Sequence, residues 1–334
     1  MILITGGAGY IGSHTAINFL NAGYDLVIFD SLETGHIETI ETLKQIGNVS
    51  FIKGDLRHPD DLEKLFSKYK IDAVIHFAAF SLVGESVFNP AKYYRNNTYG
   101  TINLLDAMIE HDVKKIVFSS TCATYGEPEY TPIDEKHPQN PINPYGASKL
   151  MIEKIMADYD AAYGLKSIKL RYFNVAGCDE KIRIGEWHNP ETHLIPNILK
   201  STFTGGQTFK IFGNDYNTPD GTCIRDYVNV EDLAEAHRLA LEYLNRENKS
   251  DVFNLGTEQG DSVKNIFDTC EKVLGTEIPV EIAPRRAGDP AKLYADAAKA
   301  KTVLGWKPER SIEQSIKTAY DWECNLQKII KDTD

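Results

Sequence analysis

From the first residue to about position 172, short apolar runs alternate with longer stretches in which apolar residues recur every three or four positions. The short runs predict strands at Met1–Thr5, Asp25–Phe29, Val49–Lys53, Ala73–Phe77, Lys115–Ser119 and Ser167–Arg171. The longer ones predict helices at Ile11–Ala22, Pro59–Tyr69, Pro90–His111 and Tyr145–Tyr163. Strands dense in Val and Ile that take turns with helices belong in a parallel sheet, because each crossover helix must lie over the sheet before the next parallel strand begins. The expected fold is therefore α/β, a doubly wound parallel sheet. After Phe173 the texture changes. Gly, Pro and Asn punctuate Gly177–Pro196, Gly205–Gly221 and Pro284–Pro290, while helices are still expected at Val230–Glu247, Val263–Leu274 and Ile312–Leu326. Residues 1–173 thus read as one domain and 174–334 as a smaller mixed α/β lobe with long, ligand-bearing loops and some crossing of the chain between the two.

The 334 residues carry 36 basic and 48 acidic side chains, a formal net charge of −12, with 42% apolar and 25% charged residues. That composition suits a globular protein with a sizeable core and excludes disordered and fibrous classes. It also argues against nucleic acid or an anionic membrane as a partner, since proteins that follow phosphate backbones gather Lys and Arg on one face. Any phosphate must be held locally. The cysteines, Cys122, Cys178, Cys223, Cys270 and Cys324, are far apart and form no C-x-x-C, so neither a disulfide framework nor a metal site is expected. No run approaches the ~18 apolar residues a membrane helix needs, and no leader precedes the first strand, so the expected address is the cytoplasm.

The first strand runs into Thr5-Gly6-Gly7-Ala8-Gly9-Tyr10-Ile11-Gly12, which satisfies both G-x-x-G-x-x-G and G-x-G-x-x-G. Gly6, Gly9 and Gly12 permit a tight turn, let backbone amides approach a pyrophosphate and bring the following helix close to the sheet. The second strand ends on Asp30, 18 residues after Gly12. A carboxylate there accepts from both hydroxyls of an adenosine ribose and repels a 2′-phosphate. With no Lys or Arg between Tyr24 and Gly35, NAD is favoured over NADP, and the first domain reads as an NAD-binding Rossmann unit.

Of 17 tyrosines, only Tyr145 has a lysine four residues later, Lys149. Chance alone gives about one such pair in a chain of this make-up, so the setting carries the inference. A helix beginning near Pro144 puts both side chains on one face, where the ammonium favours the phenolate and makes Tyr145 a general base near neutral pH. The fifth strand ends in Ser119-Ser120-Thr121, at the carboxyl edge where such sheets bind ligands, and Thr121 is placed to hydrogen-bond a substrate hydroxyl.

The pairing of T-G-x-x-G-x-x-G with Y-x-x-x-K resembles the extended short-chain dehydrogenase/reductase family, and within it the nucleotide-sugar 4-epimerases. The similarity extends through Val83-Gly84-Glu85-Ser86, Tyr93-Tyr94-Arg95-Asn96-Asn97, Asn143-Pro144-Tyr145-Gly146-Ala147-Ser148-Lys149, Leu170-Arg171-Tyr172-Phe173-Asn174, Ile211-Phe212-Gly213-Asn214-Asp215-Tyr216 and Gly221-Thr222-Cys223-Ile224-Arg225-Asp226-Tyr227. It implies reversible C4 inversion of the hexose in UDP-galactose and UDP-glucose with tightly bound NAD, in galactose metabolism, by a homodimer pairing the helices 90–111 and 145–163. Catalysis would rest on Tyr145, Lys149 and Thr121. The cofactor would meet Tyr10 and Ile11 in the turn, Asp30 at the ribose, Asp55 and Leu56 near the adenine, Phe77, Ala78, Ala79, Ser81 and Asn96 along the channel, and Phe173 near the nicotinamide. Asn174, His193, Leu194, Phe212, Arg225, Tyr227, Arg286 and Asp289 would hold the UDP-sugar, the arginines as fork donors to phosphate and Phe212 against uracil. Three positions depart from the family pattern: Ser81 replaces a common lysine, His193 replaces Asn, and Leu293 stands where the sugar pocket often has Tyr or Cys. The last leaves a UDP-N-acetylglucosamine 4-epimerase, or one of dual specificity, as the alternative. A 4,6-dehydratase needs an acid pair directly after the catalytic Thr, where this chain has Cys122-Ala123-Thr124. A non-catalytic NAD sensor would lack the reason for keeping both Tyr145 and Lys149.

Overall fold

The strands Ile2–Thr5 and Leu26–Asp30 are buried along their whole length, as strands are when a sheet is covered on both faces. In the computed structural model, which describes residues 1–203, 208–285 and 290–333, seven strands form one sheet. They are β1 (Ile2–Thr5), β2 (Leu26–Asp30), β3 (Val49–Lys53), β4 (Ala73–His76), β5 (Lys115–Ser119), β6 (Lys166–Tyr172) and β7 (Asp251–Leu255), in the order β7-β6-β5-β4-β1-β2-β3. Every pairing is parallel. The winding direction reverses between β1 and β4, and at such a switch point a crevice opens beyond the carboxyl ends of the strands. The expected doubly wound Rossmann-type sheet is therefore the observed one.

Alternate residues of each strand feed two separate cores, as the two-residue side-chain period requires. Ile2, Ile4 and Ile28 pack with Phe19 of α1 (Tyr10–Asn21), Ile40 and Leu43 of α2 (Ile37–Ile46), and Ala236 and Leu244 of the helix Val230–Glu247. Leu3, Val27 and Val74 pack on the opposite face with Leu65 and Phe66 of α3 (Pro59–Lys68), Leu104 and Met108 of α4 (Gly100–Glu110), and Ile152 and Met156 of α5 (Pro144–Tyr163). At roughly 1.5–3 kcal/mol for each large apolar side chain buried, these two layers hold the sheet edge rigid.

Several elements differ from the pattern-based expectation. The helix expected over Pro90–His111 is broken into Pro90–Tyr93, a π-helical stretch Tyr94–Tyr99, and α4. β7 was hidden because Asp251-Val252-Phe253-Asn254-Leu255 mixes polar with apolar residues, yet Phe253, Asn254 and Leu255 are fully buried. Asn254 is tolerated there because its side-chain amide donates to the Ile133 carbonyl and its Oδ1 accepts from the Tyr125 hydroxyl. The strand Phe209–Phe212 forms in a segment that reads as loop, and the helix Leu194–Phe203 begins at the end of one.

Beyond β6 the chain builds small sheets of two to four residues per strand. Asn174–Ala176 pairs with Tyr227–Asn229, Ile224–Arg225 lies between Asp261–Ser262 and Lys292–Leu293, and Phe209–Phe212 pairs with Val280–Ala283. A third apolar cluster, including Ile195, Ile198, Ile211, Phe267 and Ile316, anchors them. Between these pieces the helix Val230–Glu247 and β7 return to the first sheet, so the chain crosses back over its own first half. Among the described residues, no helix is long and apolar enough to cross a membrane.

Candidate functional site

The glycine turn is fixed by sterics. Gly6 sits at φ +73°, and a Cβ there would lie 2.6 Å from the Ala78 backbone nitrogen. A Cβ on Gly12 would lie 2.2 Å from the Gly6 carbonyl oxygen. Any side chain at either position would fill the cradle between β1, α1 and the loop after β4. Gly9 caps α1 with no side-chain hydrogen bond, and the amides of a helix's first turn have no partner within the helix. The cradle therefore presents donors and a positive helix end, which is what a dinucleotide pyrophosphate requires.

Asp30, at the end of β2 and 8% exposed, braces that turn: Oδ2 accepts from Ala8 N at 3.0 Å and Oδ1 from Leu32 N at 2.8 Å. Each carboxylate oxygen keeps a second lone pair for a ribose hydroxyl. Burial pushes its pKa up. Asp55 is tied to Arg57, whose Nε lies 2.9 Å away; burial pulls the carboxyl upward, and the Arg57 hydrogen bonds outweigh it. Leu56 is buried, and its carbonyl accepts from Asn103 Nδ2 at 2.8 Å. Phe77, Ala78 and Ala79 are half-buried along the channel, Phe77 with its ring 4.6 Å from that of His237, and Ser81 is exposed. Asn96 lies in the π-helical stretch, its amide 3.0 Å from Asn97 Oδ1.

Asn97 is a residue that sequence reasoning passed over. Fully buried, it accepts from Phe80 N and donates to Phe80 O, both at 2.9 Å, and reaches Ser148 Oγ of α5 at 3.2 Å. It clamps the channel loop to the Tyr145 helix. Its signal was the repeated Asn in Tyr93-Tyr94-Arg95-Asn96-Asn97, where polar residues interrupt an apolar helix face.

α5 starts at an Asn143 cap, whose Oδ1 accepts from Gly146 N at 2.8 Å, with Pro144 in the first turn. A Cβ on Gly146 would lie 2.3 Å from the Ala123 carbonyl, so glycine alone lets this helix approach the loop after β5. That approach sets Tyr145 against Thr121, whose hydroxyl pulls the phenol pKa down. Thr121, 7% exposed, opens a short 3-10 turn, its Oγ1 accepting from Ala123 N at 3.2 Å. Lys149 is 3% exposed, donates to Ser119 O at 2.8 Å and lies 4.7 Å from the Phe118 ring centroid.

The electrostatics differ from the sequence expectation of a ready phenolate. Burial dominates both groups in the protein alone: it pushes the Tyr145 phenol well above 10 and lowers Lys149 from 10.5 to about 7. The expectation counted the favourable pair interaction and left out the cost of desolvating both charges. A second unpredicted feature lies one turn along α5. Glu153 accepts from Arg171 Nε at 2.9 Å and Nη2 at 2.5 Å, and from Ser120 Oγ at 2.5 Å. Arg171 continues to Tyr125 Oη at 2.9 Å. Burial works to raise the Glu153 pKa, and Arg171 more than offsets it. This buried pair locks β5, β6 and α5 together beneath Tyr145 and Lys149.

On the other side of the crevice, Phe173 packs with Cys122, Tyr125, Ile133 and Ala295, and Leu293 lies against the same cluster. Leu293 is also the register partner of Arg225. Arg225 is 8% exposed, and its Nη1 donates to the carbonyls of Ile224 and Pro290, each at 2.8 Å. Asn174 N donates to Asp226 O at 2.9 Å. Phe212 ends its strand half-buried, Tyr227 packs in the third core, and Leu194 opens its helix against that core. His193 Nδ1 faces two carboxylates, Glu186 at 2.7 Å and Glu191 at 3.0 Å. Arg286 and Asp289 lie outside the described residues. Asp226, fully buried, was not singled out from the sequence: its carboxylate accepts from Thr257 N, Thr257 Oγ1 and Ala295 N, tying together the strands that carry Arg225 and Leu293.

Fold and site together define the class: a dinucleotide-binding Rossmann sheet with a buried Tyr-x-x-x-Lys at its strand ends, as in extended short-chain dehydrogenases/reductases. A family profile described as GDP-mannose 4,6 dehydratase matches residues 3–319. A UDP-glucose 4-epimerase from Lactobacillus helveticus is 52% identical over 332 residues, 99% of each chain. Among solved structures, a UDP-glucose 4-epimerase from Brucella ovis in complex with NAD is 46% identical with a TM-score of 0.91, covering 96% of this chain and 97% of its own. One from Bifidobacterium longum in complex with NAD+ and UDP is 41% identical with a TM-score of 0.92, covering 97% and 98%. The chain belongs to the UDP-glucose 4-epimerase family.

Proposed function

We propose that this chain is an NAD-dependent isomerase that inverts C4 of the hexose in UDP-galactose and UDP-glucose. The observation that carries the reading is Lys149, buried and hydrogen-bonded to Ser119 O, four residues from Tyr145 at the carboxyl ends of the strands. Gly6, Gly12, Asp30 and Lys149 would hold NAD. When bound, NAD supplies a hydride acceptor and donor, so inversion can run through a 4-keto sugar with no net redox change.

The chain's own part is proton handling and restraint. Tyr145 takes the C4 hydroxyl proton on Oη, Thr121 orders that hydroxyl, and Lys149 offsets charge on the phenolate. Because Tyr145-OH with Lys149-NH2 has the same proton count as Tyr145-O⁻ with Lys149-NH3⁺, the pair titrates as a unit. Arg225, its Nη1 held by two carbonyls, would set its guanidinium charge against diphosphate oxygens. Holding the nucleotide firmly and the hexose loosely lets the keto sugar turn between hydride removal and return.

A dehydratase must expel water from C6 with an acid next to the catalytic Thr. Here Cys122, 9% exposed, and Ala123 follow Thr121, and the nearby Glu153 is committed to Arg171. Leu293, against Cys122 and Phe173, supports a second reading on sugar scope, since it is smaller than Tyr and larger than Cys. Assaying UDP-glucose, UDP-galactose and their N-acetylated counterparts with one preparation separates the two. Interconversion of the first pair, without added NAD once the enzyme is loaded, is expected; turnover of the N-acetylated pair alone would overturn it.

The same proposal includes a cytoplasmic homodimer working in galactose metabolism. Leu104, Leu105, Met108, Ile152 and Met156 are spent on the sheet, while Tyr99 and Met151 are 48% and 44% exposed on neighbouring helical segments and suit a helix-pair interface. Light scattering at twice the chain mass is the expected result.

A further inference from the structure

Among the described residues, four donor groups outside the proposed chemistry converge on one point in the loop before the helix Leu194–Phe203: Glu186, His188, Glu191 and His193. One ring nitrogen of each histidine and one oxygen of each carboxylate lie within 4.8 Å of one another. The Glu186 and Glu191 side chains are only 7% and 5% exposed. We infer that this cluster is a structural site for a divalent transition metal of the zinc class, cross-linking the loop to itself beside the start of α1.

Hydrogen bonding leaves the cluster incompletely explained. A protonated His193 accounts for two contacts, 2.7 Å to Glu186 Oε1 and 3.0 Å to Glu191 Oε1. It does not account for His188 Nδ1, a buried atom with no well-formed hydrogen bond, 3.2 Å from the same Glu186 Oε1 that His193 already engages. Nor does it account for Glu191 Oε2, buried without a hydrogen-bond partner, 3.9 Å from His188 Nδ1 and 3.8 Å from Lys200 Nζ. Buried polar atoms of this kind call for a partner. Imidazole nitrogens and carboxylate oxygens gathered at one point beyond what hydrogen bonding uses are disposed as ligands of a shared cation are. Zinc bonds of about 2.0–2.1 Å to imidazole nitrogen and carboxylate oxygen give tetrahedron edges of about 3.3 Å. The histidine–carboxylate contacts run from 2.7 to 3.9 Å, and the whole donor set lies within 4.8 Å. Two carboxylates balance a divalent charge, and two imidazoles select transition metals over magnesium or calcium.

The surroundings hold the ligands in place, as metal sites require. Glu191 Oε1 accepts from the backbone amides of Thr192 and His193 at 2.8 and 2.9 Å. The Glu186 carbonyl accepts from Trp322 Nε1 at 2.9 Å, and Trp187 stacks on His36 with ring centroids 3.7 Å apart. The Tyr10 ring, at the opening of α1, stands edge-on to His188 at 6.3 Å. The site thus sits beside the glycine turn, and His193, which the family resemblance assigned to the nucleotide sugar, serves the metal through Nδ1.

The test uses the full-length chain without a histidine tag, incubated with zinc chloride, dialysed and analysed for metal by mass spectrometry. About one zinc per chain is expected for the parent, and less than about a tenth for His188→Ala combined with His193→Ala. A chelator should lower the melting temperature of the parent by several degrees, and zinc alone should restore it. Cobalt(II) loaded into the zinc-free parent should give the intense visible bands of a tetrahedral ion, which decides the matter even if the double variant fails to fold. Three results would overturn the proposal: no zinc retained and no chelator effect, equal zinc in parent and folded double variant, or a weak octahedral cobalt spectrum.

Discussion

The two walls of the crevice are built by different means. The cofactor wall is backbone: glycines whose Cβ atoms would strike Ala78 N or the Gly6 carbonyl, an uncapped helix end, and an aspartate that accepts from the turn it faces. The wall we assign to the nucleotide sugar is side chain: Arg225, Leu293 and Asn174 ride on strands of two or three residues, aligned by the buried carboxylate of Asp226. A backbone cradle recognises what all dinucleotides share, a pyrophosphate, and tolerates almost no substitution. A side-chain wall on short strands can change one residue at a time, which is how one fold serves several sugars. Tyr145, Lys149 and Thr121 stand where the walls meet.

The largest predicted effect falls on that seam. Tyr145→Phe should lower kcat for UDP-galactose by about 10⁴, near 5.5 kcal/mol, with NAD still bound in stoichiometric amount. Near-normal turnover would remove Tyr145 as the base. On the sugar wall alone, Arg225→Ala should raise KM for UDP-galactose about 30-fold, about 2 kcal/mol, and leave NAD content unchanged, as measured by steady-state kinetics and absorbance. Loss of NAD in that variant would mean that the walls are not separable.

A smaller effect, tenfold per pH unit, tests the seam without mutation. Below about pH 7 the Tyr145–Lys149 pair holds two protons and contains no base; above it Lys149, with its lowered pKa, lets the pair hold one. The kcat/KM of the loaded enzyme should therefore fall with unit slope as pH drops through about 7 or somewhat lower, since the positive nicotinamide ring favours proton loss. Lys149→Met leaves the buried phenol to lose its proton alone, so that limb should move above pH 8, and a flat profile from pH 5.5 to 8 in the parent would contradict the coupling.

The same division explains what the sequence disclosed. Everything on the cofactor wall is local: the glycine turn spans eight residues, Asp30 ends the next strand, and Tyr145 and Lys149 share one helix turn. Spacing alone exposes such features. The supports are not local. Glu153 meets Arg171 from 18 residues away, Asn97 reaches Ser148 across 51, and Asp226 grips Ala295 across 69. No periodicity links such pairs, so only the folded chain reveals them. β7 escaped notice for a related reason, because its buried Asn254 looks polar until the Ile133 carbonyl and the Tyr125 hydroxyl are brought to it. The phenol's raised pKa escaped because burial is a property of the assembled site, not of the Tyr-x-x-x-Lys spacing.

The central claim, that one hydride leaves C4 and returns to the opposite face inside a closed site, has a direct test. The enzyme is incubated with UDP-galactose carrying deuterium at C4, in ordinary water, and the UDP-glucose formed is examined by NMR and mass spectrometry. The account predicts full retention of deuterium at C4 and no deuterium in solvent. Washout of the label, or product carrying solvent hydrogen at C4, would show inversion by proton abstraction from carbon and contradict it.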